Sequence, residues 1–292
     1  MGIGGGGDVV GALAVADLAR DAGLEAHVGG VTWERRPIDP LPGPRTLDEA
    51  DGLLERLDPA AALAGPDTVG PGGFRFAESH MARHLGEPVV LIDPNAGPRG
   101  VAAGLEAAAR RLGCDAVALV DVGGDVLGHG GEAGLASPLC DAVLLAASVH
   151  LALPSVGAVF GPGCDGELSP SEVLERIAEV AAADGLLGAW GLTPAAVERL
   201  AAAVAEVPTE ASAQAIECAR GGFGPSPIRE GRRSVELSPV GAVTFFFDPA
   251  AAMGSAARLA TAVVEADSLQ AAQDILAERG VRTELDYERE HA

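Results

Sequence analysis

Short, continuously apolar runs alternate along the chain with longer amphipathic stretches. The runs predict strands over Glu25–Val31, Pro88–Asp93, Ala116–Asp121, Val156–Gly161 and Ala242–Asp248, with a further strand near Ser234–Leu237. The stretches predict helices over Asp8–Ala22, Thr46–Leu57, Phe76–Leu85, Gly100–Leu112, Ser137–Leu151, Ser169–Ala183, Thr193–Val207, Glu210–Ala219, Ala252–Val264 and Leu269–Arg279. Helix signals agree with this reading. Ser169-Pro170-Ser171-Glu172 offers an N-cap, a Pro at the first position and a Glu at the third, and Thr193-Pro194 and Asp267-Ser268 are further starts. Gly113 and Gly280 stand where helices would stop. Strands that are apolar along their length, separated by helices, imply a parallel sheet covered on both faces. The expected architecture is therefore three-layer α/β: a Rossmann-like, mostly parallel sheet with helices on both faces and a helical insertion. Residues 1–292 read as a single α/β domain with a helical cap-like segment at about 165–220, because Asp165–Pro208 is almost purely helical in pattern. Only Met1-Gly2-Ile3 precedes the first glycine run, whereas a buried strand normally takes about 5 residues. The first strand is short, or the natural start lies upstream.

Composition narrows the chemistry. Hydrophobic residues make up 48% of the 292 residues and aromatics only 3%, so Ala, Val and Leu must fill closely packed layers. Formal charge is −22, from 42 acids against 20 bases, which argues against nucleic acid and anionic membranes as partners. Every base is Arg. Without lysine there is no Schiff-base lysine, no pyridoxal-phosphate anchor, no Walker lysine and no Ser-Lys dyad. No apolar run approaches the roughly 20 residues that span a bilayer, and the start lacks the basic and apolar regions of a secretory signal. Cys114, Cys140, Cys164 and Cys218 are widely spaced and form no CxxC pair, as in a reduced cytoplasmic protein.

Most expected strands are followed by an acidic turn, usually with glycines. These are Gly4-Gly5-Gly6-Gly7-Asp8, Asp93-Pro94-Asn95-Ala96-Gly97-Pro98-Arg99, Asp121-Val122-Gly123-Gly124-Asp125, Gly161-Pro162-Gly163-Cys164-Asp165-Gly166-Glu167 and Asp248-Pro249. In an open α/β sheet ligands bind at the carboxyl ends of the strands, so parallel strands would bring these turns to one rim. There Gly5, Gly6 and Gly7 would present backbone N–H groups to a ligand, with Asp8 beside them or serving as a simple N-cap. Asp121, Asp125 and Glu132 would bind hydroxyls, an ammonium group or Mg²⁺, or divide into acid and base, with His129 as a proton-transfer group. Glu78, Ser79, Asp93, Asn95, Gly123, Gly124 and Asp165 join them as substrate-binding candidates. Arg99 and Arg229, in Gly- and Pro-rich loops with Arg75, Arg232 and Arg233, are the carboxylate or phosphate clamps. His80 and His84 share a helix face at i, i+4 without an HExxH motif, so a solvated face is expected there. No GxSxG elbow is present, and Cys164 is the best thiol.

The stretches GGGGDVVGALAVA (Gly4–Ala16), FAES (Phe76–Ser79), DVGGDVLGHGGEAGLASPLCDAVLLAA (Asp121–Ala147), GPGCDGELSP (Gly161–Pro170) and AAQDILAERGVRTELDYE (Ala271–Glu288) resemble the prokaryotic family catalogued as domain of unknown function 1152. The likeness runs over nearly the whole chain, and the family name implies no activity. Asp121-Val122-Gly123-Gly124-Asp125-Val126-Leu127-Gly128-His129-Gly130 is similar to the glycine loop of the D-glutamate cyclase family, with Gly124 or Asp125 where that loop has Asn. This shorter likeness implies a lyase or cyclase acting on a small amino-acid-like carboxylate.

Three functions are therefore expected to compete. The first is a small-molecule lyase, cyclase or hydrolase without an organic cofactor, acting on a polar carboxylate-bearing metabolite. The second is a nucleotide- or nucleoside-processing enzyme that cradles phosphate on Gly4–Gly7. The third is a non-catalytic metabolite-binding protein. Ala-rich helix surfaces such as Ala201–Val207 suit a homo-oligomer.

Overall fold

The computed structural model describes residues 1–291. Its strands are β1 (Gly29–Val31), β2 (Glu55–Asp58), β3 (Ala61–Ala64), β4 (Val89–Ile92), β5 (Val117–Val122), β6 (Ser155–Phe160), β7 (Leu186–Gly191), β8 (Gly224–Ile228), β9 (Arg233–Leu237) and β10 (Val243–Phe247). The helices are α1 (Asp8–Asp21), α2 (Ala77–Leu85), α3 (Gly97–Leu112), α4 (Pro138–Ala146), α5 (Pro170–Ala182), α6 (Pro194–Val204), α7 (Ala211–Ala219), α8 (Pro249–Met253), α9 (Arg258–Val263), α10 (Leu269–Glu278) and α11 (Glu284–Glu290).

Two four-stranded sheets, ordered β1-β4-β3-β2 and β5-β6-β10-β7, lie side by side, and β8-β9 form a separate hairpin. Residues 1–3 stitch the two sheets together. The Gly2 N–H donates to Gly29 O at 2.8 Å, the Ile3 N–H to Val120 O at 3.0 Å, and the Val120 N–H to Met1 O at 2.7 Å. Residues 1–3 thus meet a neighbour on each side of the backbone through an isolated bridge. The pairings β1–β4 and β5–β6 and the Gly2–Val120 bridge are parallel. Those of β3, β2, β10 and β7 are antiparallel. The sheet is thus mixed, which corrects the expectation of a mostly parallel one. The antiparallel strands lie on the outside of a parallel centre, where a strand can join through a tight turn, as β2 and β3 do across Pro59-Ala60.

One face of the sheet buries α1, α2, α6 and α7 through Val9, Val10, Leu13, Met81, Leu200 and Ile216. The other buries α3, α4, α5, α9 and α10 through Leu105, Val143, Leu144, Ile177, Leu259 and Leu276. Small residues permit the close approach, as composition requires. A Cβ on Gly11 of α1 would stand 2.5 Å from Val122 Cγ2, so glycine lets this helix sit directly on β5. The chain leaves residue 3 for α1 on one face and leaves β5 for α4 on the other. In open α/β sheets such a divergence makes the carboxyl ends of neighbouring strands the binding crevice.

Several predicted elements shift. Thr46–Leu57 is not a helix but a set of turns leading into β2; Gly52 at φ +73° ends any helical run, and pairing with β3 decides the rest. Asp165–Pro208 is not purely helical, since β7 joins the sheet beside β10. Ala252–Val264 breaks at Gly254-Ser255, where Ser255 Oγ donates back to Ala251 O at 2.7 Å. The predicted capping box holds: Ser169 Oγ accepts the Glu172 N–H, and Glu172 accepts the Ser169 N–H. Thr193 and Ser268 cap their helices, and Gly113 ends α3 at φ +74°. Among the described residues no helix is long and apolar enough to cross a membrane.

Candidate functional site

Four strand ends and two helices deliver acids to the crevice. Residue 3 leads into Gly4–Asp8, β1 into Glu34 and Arg35, β5 into Asp121 and Asp125, and β6 into Asp165 and Glu167; α4 adds Asp141 and α2 adds Glu78. One oxygen each of Asp8, Asp121 and Asp141 lies within 4.8 Å of the others, as does one each of Asp125, Asp165 and Glu167. Asp121 and Asp141 are 1% exposed and Asp125 is 4% exposed. Asp121 Oδ1, Asp125 Oδ2, Asp141 Oδ1 and Asp165 Oδ1 are buried without a hydrogen-bond partner.

The loops are shaped to permit this crowding. Gly123, at φ +123°, leaves space that a Cβ would contest with Asp165 at 2.2 Å. Asp8 is the first residue of α1, not its N-cap, and its Oδ2 accepts the N–H groups of Gly4 at 2.9 Å and Val122 at 3.4 Å. The Gly6 N–H donates to Trp33 O and the Asp8 N–H to Gly5 O. The N–H groups of Gly4, Gly6 and Asp8 are therefore used internally.

Burial and mutual repulsion disfavour the charged forms. Burial lifts Asp8 to about 7 and Glu34 to about 7. Burial, with Glu167 beside it, lifts Asp165 to about 8. Burial first, and neighbouring carboxylates second, push Asp121, Asp125, Asp141 and Glu78 well above the usual carboxylate range. The compensating cations are few. Arg35 Nη2 donates to Gly4 O at 2.7 Å and to Glu284 at 3.3 Å, its guanidinium stacks 4.4 Å from the Trp33 ring, and its Nη1 has no hydrogen-bond partner. Arg229 and Arg233 each lie 3.7 Å from Glu167. Glu167 is otherwise satisfied by the N–H groups of Ala136 and Ser137 and by Ser137 Oγ.

The predicted residues divide into groups. Gly5, Gly6, Gly7, Asp8, Glu78, Asp121, Gly123, Gly124, Asp125, Asp165 and Arg229 belong to this centre or the loops that form it. His129 and Glu132 pair elsewhere, His129 Nε2 with Glu179 at 3.0 Å and Glu132 with Arg176 at 3.2 Å, both on α5. Ser79 Oγ donates to Thr68 O at 2.7 Å. Asp93 accepts the N–H groups of Asn95 and Leu47, capping the turn after β4. Arg99 is exposed and pairs with Glu265. His84 meets Glu206 at 3.1 Å rather than His80. Cys164 is buried, and its Sγ donates to Gly241 O at 3.7 Å.

Arg35, Glu34, Asp141 and Glu284 were not among the expected site residues. The first two follow β1 in a turn without glycine, so only their position after an apolar run could have drawn attention to them. Asp141 sits in the first turn of α4, within the acid-rich stretch already singled out. Glu284 carried no signal: its two oxygens accept the N–H groups of Cys140 at 2.9 Å and Leu139 at 3.0 Å across about half the chain.

No curated protein and no solved structure matches the chain. The family model described as Protein of unknown function (DUF1152) matches residues 1–292, and the chain belongs to that family.

Proposed function

We propose that this chain is a small-molecule enzyme, a lyase, cyclase or hydrolase that works without an organic cofactor on a polar, carboxylate-bearing, amino-acid-like metabolite. One observation carries the reading: carboxylates from separate loops converge in the crevice beside residues 3 and 122, buried, with oxygens that no protein donor meets. Each unmet buried polar atom costs about 1–3 kcal/mol, and such a concentration of cost is characteristic of functional sites. The parallel centre supports it. The strands β4, β1, β5 and β6 and residues 1–3 form this centre, and most of the acids follow their carboxyl ends, where ligands bind in open α/β sheets.

In this reading Arg35, whose Nη1 faces the Glu288 carboxylate at 3.5 Å without a hydrogen bond, takes the substrate carboxylate. Asp125 and Asp165, held toward their protonated forms, exchange the proton of a water elimination, ring closure or hydrolysis. His129 and Glu132 fix the loop that carries Asp125 by anchoring it to α5. The whole chain acts as one α/β domain, with α6 and α7 as the cap-like part.

The test is untargeted mass spectrometry of a small-molecule extract incubated with the purified protein. The expected result is one metabolite that gains or loses the elements of water with wild type and not with Asp125→Asn. A wild-type protein that alters no metabolite, yet is stabilised by one, would make this a binding protein instead.

A further inference from the structure

We infer that Asp8, Asp121 and Asp141 form a binding site for a single divalent cation of the Mg²⁺, Mn²⁺ or Ca²⁺ class. The three come from the start of α1, the end of β5 and the first turn of α4, and one oxygen from each lies within 4.8 Å of the other two. Oxygens around one such ion sit about 2.0–2.6 Å from it, so two ligands on opposite sides are about 4–5 Å apart. The spacing therefore fits one shared ion.

The carboxylates close in on the Gly4 backbone. A Cβ on Gly4 would stand 2.6 Å from Asp8 Oδ2 and 3.0 Å from Asp141 Oδ2, so glycine is what leaves room. Independently of the clustering, Asp121 Oδ1 and Asp141 Oδ1 are unpartnered on side chains only 1% exposed. Arg35 is a neighbouring cation, but its guanidinium is shared with Gly4 O, Glu284 and Glu288. The second acidic trio differs in this respect: Glu167 there already has two backbone N–H groups, a hydroxyl and two Arg neighbours. All-oxygen carboxylate ligands select hard cations over zinc or copper.

The inference deepens the proposed function at the same crevice, and the two can fail separately. The full chain, stripped with EDTA, is titrated with Mn²⁺ alone, and free Mn²⁺ is followed by electron paramagnetic resonance. The expected result is one saturable equivalent per chain, displaced by Mg²⁺ or Ca²⁺, with a rise in thermal midpoint. Asp121→Asn and Asp141→Asn should each weaken binding at least tenfold. Asp8→Asn is the variant least exposed to a folding defect, since an amide oxygen can still accept the Gly4 and Val122 N–H groups; it should weaken binding likewise. Glu78→Gln should keep the single equivalent. No saturable binding by wild type, or binding unchanged in Asp8→Asn, overturns the cation site. Binding without turnover overturns only the enzyme reading, and turnover unaffected by EDTA overturns only the cation.

Discussion

Glu78 lies directly over Gly30: a Cβ built on Gly30 would stand 1.9 Å from Glu78 Oε1. The middle residue of β1 is thus glycine because a buried acid from α2 occupies the place of its side chain. Gly30→Ala is expected to destabilise the protein by about 3 kcal/mol, at the upper end of overpacking costs. Glu78→Ala in the same chain removes the obstacle and should recover part of the loss. Urea unfolding of the four proteins in a double-mutant cycle measures the coupling. Additive losses would mean that the two positions do not interact.

Glu34 is held up to about 7 by burial, and burial together with Glu34 and Asp8 pushes Glu78 well above the usual carboxylate range. In the unfolded chain both titrate near about 4.3. A folded-state value above the unfolded one means that the folded form keeps a proton the unfolded form has lost. Stability is then complete below the unfolded value and declines as pH rises through the folded one. Glu34 alone removes about 3 kcal/mol across that window. The Met1 ammonium, lowered to about 5 by burial, and His80 and His129, held below their usual range by burial and nearby Arg residues, act in the opposite sense, but the buried acids raised in the same way as Glu34 outnumber them. Metal-free protein should therefore unfold at lower urea near pH 8 than near pH 5, and Glu78→Gln should narrow the difference. Equal or greater stability at the higher pH would contradict the assignment.

Arg35 faces Glu284 at 3.3 Å and Glu288 at 3.5 Å, and Glu284 is 4% exposed. Arg35→Ala leaves these acids buried without their cation, a change that costs about 3–5 kcal/mol. Arg35→Ala/Glu284→Gln should lose less than the single arginine variant. Denaturant midpoints of the variants check the ordering; a double variant weaker than Arg35→Ala would place the arginine's contribution elsewhere, for instance in its stacking on Trp33.

The alternation of apolar runs and amphipathic stretches was enough to locate the parallel centre, because each of those strands is buried on both faces. The recurring glycine-and-acid turns located Asp8, Asp121, Asp125 and Asp165, since such turns are costly in a strand-to-helix connection unless the backbone needs them. Of the outer strands, β10 was readable as Ala242–Asp248, but β2, β3 and β7 were not. The residues of β2 are only partly buried and those of β7 mostly exposed, so neither shows a hydrophobic period, and both owe their form to pairing with a neighbour. Arg35 escaped notice because its turn has no glycine and its strand is three residues long. His129 and Glu132 matched the chemistry of the loop, but Glu179 and Arg176 of α5 captured them, and nothing local encodes those pairings.

The two bonds from Glu284 to the start of α4, together with its ion pair to Arg35, give the order of synthesis a consequence for assembly. The helix that carries Asp141 and the arginine that holds the Gly4 carbonyl are both secured by an element made after all the other helices. A nascent chain still lacking α11 has nearly every ligand-bearing loop and none of the lock that registers them. Competence at this centre therefore arrives late and all at once, and a ribosome-bound fragment should remain unable to retain whatever the finished protein holds.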